Sequence, residues 1–210
     1  AFLWQRRADA GSPPQGLAEA IVFDPLTDPE ASGATLRAAV APRRIRTVLC
    51  FAGVIRGDEA ALAVNSDLAI AALQIAKGCG AGRVLLSSSA AVYGAQAGLL
   101  HEDLPLTPVA PYGAAKAQME ADALAWRDTH APQIEICALR IGNVAGADAL
   151  LGRPEARSGA AVALAEQRAP ITLDVFADGH GPWRSYIGPR AFAHAIMRAV
   201  AAPALPPALN

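Results

Sequence analysis

Short, nearly continuous apolar runs alternate with longer helical patterns along this chain, and that alternation restricts the folds open to it. The runs are Phe2-Leu3-Trp4, Ala20-Ile21-Val22-Phe23, Thr47-Val48-Leu49-Cys50-Phe51, Arg83-Val84-Leu85-Leu86 and Ile134-Glu135-Ile136-Cys137-Ala138-Leu139. Strands of this kind are buried on both faces, and strands separated by helices pair in parallel. Helices are expected over 28–41, 58–77, 112–128, 156–167 and 190–201. Asp28 caps the first and Pro29 fits its first turn, while Gly78 and Gly80 stop the second. A short strand is expected at 171–176, with loops at 9–16, 90–110 and 142–152. The Ala/Pro-rich end from Ala202 reads as a linker or stub, with Asn210 at the start of a strand. The fold class is therefore α/β, a doubly wound parallel sheet with helices on both faces.

Several function classes drop out on charge and spacing. The formal net charge of −1 offers no broad electrostatic footing for nucleic acid. Hydrophobic residues make up 53%, alanine the commonest of them, which suits close packing of helices on a sheet and opposes disorder. No run approaches the ~18–20 apolar residues of a membrane span. Cys50, Cys79 and Cys137 lack paired spacing and two lie in or beside apolar runs, so they read as reduced structural thiols in a reducing, cytoplasmic compartment. His101, His130, His180 and His194 lack the spacing of a zinc site. Ser89 lacks the Gly-x-Ser-x-Gly elbow of a hydrolase nucleophile. No metal is expected.

Ligands of parallel sheets bind at the carboxyl ends of the strands. Arg6, Asp24, Ala52-Gly53, Ser87–Ser89 and Arg140–Asn143 each follow a strand. Ser87-Ser88-Ser89-Ala90-Ala91-Val92-Tyr93-Gly94 is followed by Pro111-Tyr112-Gly113-Ala114-Ala115-Lys116. Tyr112 and Lys116 stand four apart at a helix start, so they share a face.

That set suits hydride transfer between an alcohol carbon and a nicotinamide ring. The alcohol proton must leave with the hydride, which calls for a base in hydrogen-bond reach. A free tyrosine ionises near pH 10, and a neighbouring ammonium and the positive nicotinamide both favour the phenolate. Lys116 can supply the ammonium and bond the cofactor ribose; Ser89 can fix the substrate oxygen.

Ser-Ser-Ser-Ala-x-Val-Tyr-Gly, then Glu102, then Pro-Tyr-Gly-x-x-Lys, resembles the extended short-chain dehydrogenase/reductases, the NAD-dependent epimerase/dehydratase family that includes UDP-glucose 4-epimerase. The resemblance runs from about residue 1 to residue 210. It implies an NAD(P)-binding Rossmann fold and an enzyme acting on a nucleotide sugar or related hydroxyl or carbonyl substrate. Ser89, Tyr112 and Lys116 match the family's catalytic residues. Cofactor contacts carry over to Arg6, Arg7, Asp24, Leu26, Phe51, Ala52, Gly53, Asn65, Ser87, Tyr112, Lys116 and Ile141. Among these, Asp24 would bond the adenine amine. Phe51-Ala52-Gly53 would lie along the cofactor, small residues there permitting close approach. Substrate contacts carry over to Ser89, Asn143 and Arg184, whose guanidinium fork suits a phosphate. Asn65 equally suits a core amide, and Arg184 a surface charge.

The chain departs from the family's pattern in two places. The Gly-x-x-Gly-x-x-Gly turn that holds the pyrophosphate is absent; Gly11 and Gly16 follow the wrong strand. Ala1–Gln5 matches the family's second strand, so roughly 30 residues of a βα unit are expected before Ala1. The substrate lobe is short, giving an expected division into a cofactor domain at 1–146 and a partial substrate lobe with returning Rossmann elements at 147–210. Arg6-Arg7 stands where NAD-preferring members carry an acid, which leans toward NADP. Ala90 and Ala91 stand where dehydratases carry acids, leaving epimerase or reductase chemistry. A small-molecule partner and a possible homodimer are expected. The alternatives are a simple NADPH-dependent carbonyl reductase or a non-catalytic NAD(P)-binding regulator on the same fold.

Overall fold

A computed structural model describes residues 2–5, 19–22, 26–96, 98–144 and 185–210. The first strands, β1 (Phe2–Gln5) and β2 (Glu19–Val22), pair in parallel. After them come α1 (Pro29–Val40), β3 (Thr47–Cys50), α2 (Glu59–Cys79), β4 (Arg83–Ser89), a 3-10 turn over Ala90–Tyr93, α3 (Pro111–His130) and β5 (Glu135–Ile141). β6 (Asn143–Val144), β7 (Tyr186–Ile187), α4 (Pro189–Ala201) and β8 (Ala208–Leu209) complete the described elements. The chain divides into two compact units, one comprising residues 1–141 with 203–210 and the other residues 142–202.

In the first unit a four-stranded sheet runs in the order β3-β4-β5-β8, every pair parallel. β1 and β2 form a separate two-stranded sheet, and no ladder joins β1 to β3 among the described residues. The helices start and stop where local chemistry dictates. Asp28 accepts a hydrogen bond from Ala31 N at 3.0 Å and Pro29 opens α1. Asp58 does the same for α2 through Ala61 N at 2.9 Å, and Gly80, left-handed at φ 75°, ends it.

α2 and α3 pack on one sheet face. Ala69, Ala72, Leu73 and Ala76 of α2 meet Cys50, Val84, Leu86 and Ile136 of the strands and Met119 and Ala123 of α3. Small alanines let the helix backbone approach the sheet, and each fully buried aliphatic contributes about 1.5–3 kcal/mol. Leu85 and Cys137, which alternate to the other face, are also fully buried. By length and mean hydropathy α2 meets the composition test for a membrane span, which the apolar runs alone did not suggest. Half of it is buried against this core. Cys50, Cys79 and Cys137 are all free and buried.

Two expectations need correction. The Ala/Pro-rich end is no stub: Ala208–Leu209 forms β8 and adds to the β5 edge. The strand ending at Ser89 does not stop at Leu86; its ladder with β5 continues through Ser89, opposite Ile141. The loop at 9–16, the helix at 156–167, the strand at 171–176 and most of the loop at 142–152 lie outside the described residues.

Candidate active site

β4 ends in three serines, and each meets a different residue of α3. The Ser87 carbonyl accepts from Lys116 Nζ at 2.7 Å. The Ser88 hydroxyl donates to the Glu120 carboxylate. The Ser89 hydroxyl lies close enough to the Tyr112 phenol to lower its pKa. Tyr112, Lys116 and Glu120 recur every four residues, so one face of α3 reads the whole strand end.

Close approach of helix and strand makes this possible. A methyl group at Gly113 would lie 2.5 Å from the Ala91 carbonyl oxygen, so only glycine lets the first turn of α3 rest on the turn after Ser89. Pro111 starts the helix there, where its missing N–H costs nothing. Ser89 Oγ also accepts from Ala91 N at 3.2 Å and so caps the 3-10 turn.

Burial sets the ionisation of the pair. It pushes Tyr112 above its ordinary 10.0, and the Ser89 hydroxyl pulls partly back. It pulls Lys116 below its ordinary 10.5, while negative charge at Cys50 and Glu120 opposes. The ammonium is aimed at the Ser87 carbonyl; its Nζ is 6.0 Å from the centre of the Tyr112 ring. The direct ammonium–phenol neighbourhood expected from the four-residue spacing is therefore looser than supposed.

Beside the serines, the segment after β3 is held by Asn65. Its side-chain amide donates to the carbonyls of Val54 at 2.9 Å and Leu62 at 2.8 Å, and its oxygen accepts from Val54 N at 3.2 Å. Asn65 is 1% exposed, so it acts here as a buried amide that shapes a loop. Phe51, Ala52 and Gly53 are exposed on that loop. A methyl at Gly53 would come within 3.0 Å of Asn65 Oδ1 and 3.2 Å of Lys116 Nζ, which draws this loop to the lysine. Leu26 is exposed at 36%. Asn143 belongs to the second unit, where its side chain donates to the Ser185 carbonyl at 3.2 Å. Arg6, Arg7, Asp24 and Arg184 lie outside the described residues.

Arg140 sits differently from its sequence reading. It does not follow the strand, as the Arg140–Asn143 segment was expected to, but lies within β5, 8% exposed and opposite Ser88 in the ladder. Its Nε lies 3.2 and 3.3 Å from the two Glu120 oxygens, and its Nη2 donates to Oε2 at 2.8 Å. Nη1 donates to the Tyr93 hydroxyl at 2.7 Å and the Glu102 carbonyl at 2.9 Å. Tyr93 in turn donates to Asn210 Oδ1 at 2.8 Å, and Asn210 N donates to the Glu102 carboxylate at 2.8 Å. That last bond holds Glu102 below the usual carboxylate range. Ser88, Glu120, Tyr93 and Asn210 went unnoticed as functional candidates. The available signal was Glu120 itself, a carboxylate on the helix face that carries Tyr112 and Lys116.

The donor set suits a nicotinamide dinucleotide. An ammonium has three N–H donors. Lys116 places one on Ser87 and a weak one toward Met119 Sδ at 3.7 Å, which leaves one for a ribose hydroxyl. The loop beside it is exposed at Ala52 and Gly53, where a methyl and a hydrogen leave the backbone accessible, next to the exposed Phe51 ring.

A family model for the NAD dependent epimerase/dehydratase family matches residues 15–208. A UDP-glucose 4-epimerase of Azospirillum brasilense is 35% identical over 130 residues, covering 58% of this chain and 35% of that protein. Among solved structures, the Bordetella bronchiseptica enzyme WbmG in complex with NAD and UDP aligns over 100% of this chain and 63% of its own, with a TM-score of 0.66 and 19% identity. The UDP-glucose 4-epimerase of Brucella ovis in complex with NAD covers 87% of this chain and 59% of its own, with a TM-score of 0.67 and 22% identity. The chain thus spans less than two thirds of each of these relatives. The solved structures share its Rossmann-type fold, and the match over residues 15–208 places the chain in the NAD-dependent epimerase/dehydratase family.

Proposed function

We propose that this chain carries the hydride-transfer site of an NAD(P)-dependent oxidoreductase of its family, acting as an epimerase on a nucleotide sugar. The observation that carries this reading is that Ser89 ends β4 while Tyr112 and Lys116 share one face of α3, with Lys116 bonded to the Ser87 carbonyl. Family membership supports the cofactor class, and relatives that act on UDP-sugars support the substrate class.

In this reading the Ser89 hydroxyl holds the substrate oxygen and Tyr112 Oη exchanges its proton. When bound, the nicotinamide supplies a reversible hydride acceptor. Lys116 donates to a ribose hydroxyl and, through Ser87, keeps the strand end against the helix. Burial raises the Tyr112 pKa and so further favours the protonated phenol in the free protein. Positive charge beside the phenol, on binding, brings the base form within reach of neutral pH. Asn65 shapes the loop that runs beside the cofactor. Asn143 and Arg184 are assigned to the substrate, and Arg6, Arg7 and Asp24 to the adenosine end. The Arg6-Arg7 pair favours a 2′-phosphate and hence NADP, whereas the solved neighbours named above hold NAD. The division into a cofactor domain at 1–146 and a substrate lobe at 147–210 belongs to the same proposal, as does a cytoplasmic setting.

The test compares the parent protein and Tyr112→Phe for UDP-glucose/UDP-galactose interconversion and for NAD and NADP binding by titration. Losing the proton-transfer group lowers turnover by about 10²–10⁴-fold, with cofactor affinity largely kept. Undiminished turnover in Tyr112→Phe would overturn the proposal. Tighter NAD than NADP binding would overturn the NADP preference alone.

A further inference from the structure

We infer that Glu120 and Arg140 are positioning residues: together they clamp the end of β4 against α3 so that Ser89 keeps its place beside Tyr112. This rests on the reading of Ser89 and Tyr112 as the reacting pair. Neither residue is among the groups assigned above to substrate or cofactor.

Three elements meet at one carboxylate. Glu120 lies on α3 two turns beyond Tyr112 and one beyond Lys116. It takes the Ser88 hydroxyl from β4 and the Arg140 guanidinium from β5. Ser88 and Arg140 are themselves partners in the β4–β5 ladder. The next rung is Ser89 opposite Ile141, so the clamp sits one rung below the reacting hydroxyl. Arg140 Nη1 reaches further, to the Tyr93 hydroxyl and the Glu102 carbonyl, and pins the turn that follows Ser89.

Burial separates this role from stability. Glu120 is 7% and Arg140 8% exposed. An ion pair so far out of water gains little net stability, and well-packed apolar residues of similar volume often replace such pairs at no cost or with a gain. A fully satisfied buried network instead fixes geometry. Glu120 accepts from both its partners, and Arg140 uses Nε and both terminal nitrogens.

The test reads Tyr112 directly and needs neither cofactor nor substrate. Phenolate absorbance is titrated in the parent, in Ser88→Ala and in the charge-neutral pair Glu120→Leu/Arg140→Met, each with a Tyr112→Phe subtraction. The Ser89 hydroxyl lowers the phenol's pKa, so a displaced Ser89 lets it rise. The expected shift is upward, and larger in the paired variant than in Ser88→Ala. Urea midpoints verify that each variant folds. If the paired variant fails to fold, Ser88→Ala decides alone. A Tyr112 titration unchanged from the parent in the folded variants overturns the clamp. Loss of NAD binding in the parent would instead overturn the proposed function and leave this result standing.

Discussion

The Lys116 ammonium donates to the Ser87 carbonyl at 2.7 Å, so a helix residue is tied to the end of the central strand by one bond. Such a charge-assisted bond is worth about 1.5–3 kcal/mol against an unpaired buried carbonyl. It also fixes where the remaining N–H donors point. The lysine therefore has a structural task and a binding task at once.

Lys116→Met separates the two. Losing the ammonium removes both its bond to Ser87 and the cost of keeping a charge buried. These oppose, so the urea midpoint should report a stability change within about 1 kcal/mol. NAD affinity should fall by about 10-fold or more, the order of one charge-assisted hydrogen bond. Calorimetric titration of NAD measures it, and an unchanged affinity would remove Lys116 from the cofactor site.

Gly113→Ala tests the approach of α3 to the Ser89 turn. On an open helix surface this change gains about 1 kcal/mol of helix propensity. Here the new methyl meets the Ala91 carbonyl oxygen at 2.5 Å and the Ala91 carbonyl carbon at 3.0 Å. Backbone cannot step aside without moving the turn that Ser89 caps. Overpacking of this kind costs about 1–3 kcal/mol, enough to reverse the sign. A variant more stable than the parent to urea would show that the helix sits farther out.

The strands and helices of the first unit were legible because their signals are local. Continuous apolar runs gave β3, β4 and β5; Asp28 gave the start of α1, and Gly80 the end of α2. Tyr112 and Lys116 were legible from helix spacing, and Ser89 from its place at a strand end. Their partners were not. Ser87, Ser88 and Ser89 look alike in sequence, yet Ser87 offers its carbonyl to Lys116, Ser88 its hydroxyl to Glu120, and Ser89 accepts from Ala91 N. Arg140 ends an apolar run and so reads as following the strand. Only tertiary packing sets Glu120 beside it. β8 was missed as an element because Ala208-Leu209 is too short and too small to show a period.

Asn65→Ala should loosen the loop after β3. Its amide makes three bonds, two of them to the backbone of Val54. Truncation leaves the Val54 N–H and carbonyl unpaired and costs about 1–3 kcal/mol. Because Gly53 lies between Asn65 and Lys116, the loop beside the cofactor moves with it. Urea denaturation should show the loss, and NAD titration a weakening of about 3–10-fold. Normal stability with normal NAD affinity would make Asn65 a bystander.

Cys50 should shape stability at alkaline pH. Burial pushes its thiol from an ordinary 9.0 to about 11. A raised folded-state pKa contributes stability that is fully present below 9.0 and is lost as pH rises to about 11. The raised pKa of Tyr112 acts in the same sense above 10.0. Lys116, whose pKa is lowered, acts in the opposite sense: its burial penalty eases as pH approaches 10.5. Cys50→Ala isolates one contribution. Between about pH 8 and about pH 10.5 the parent should lose about 2 kcal/mol more than the variant, read from urea midpoints. Any cavity left by the substitution lowers the variant equally at both pH values, so the difference in slope carries the test. Parallel losses would show that Cys50 titrates as an ordinary thiol in the folded protein.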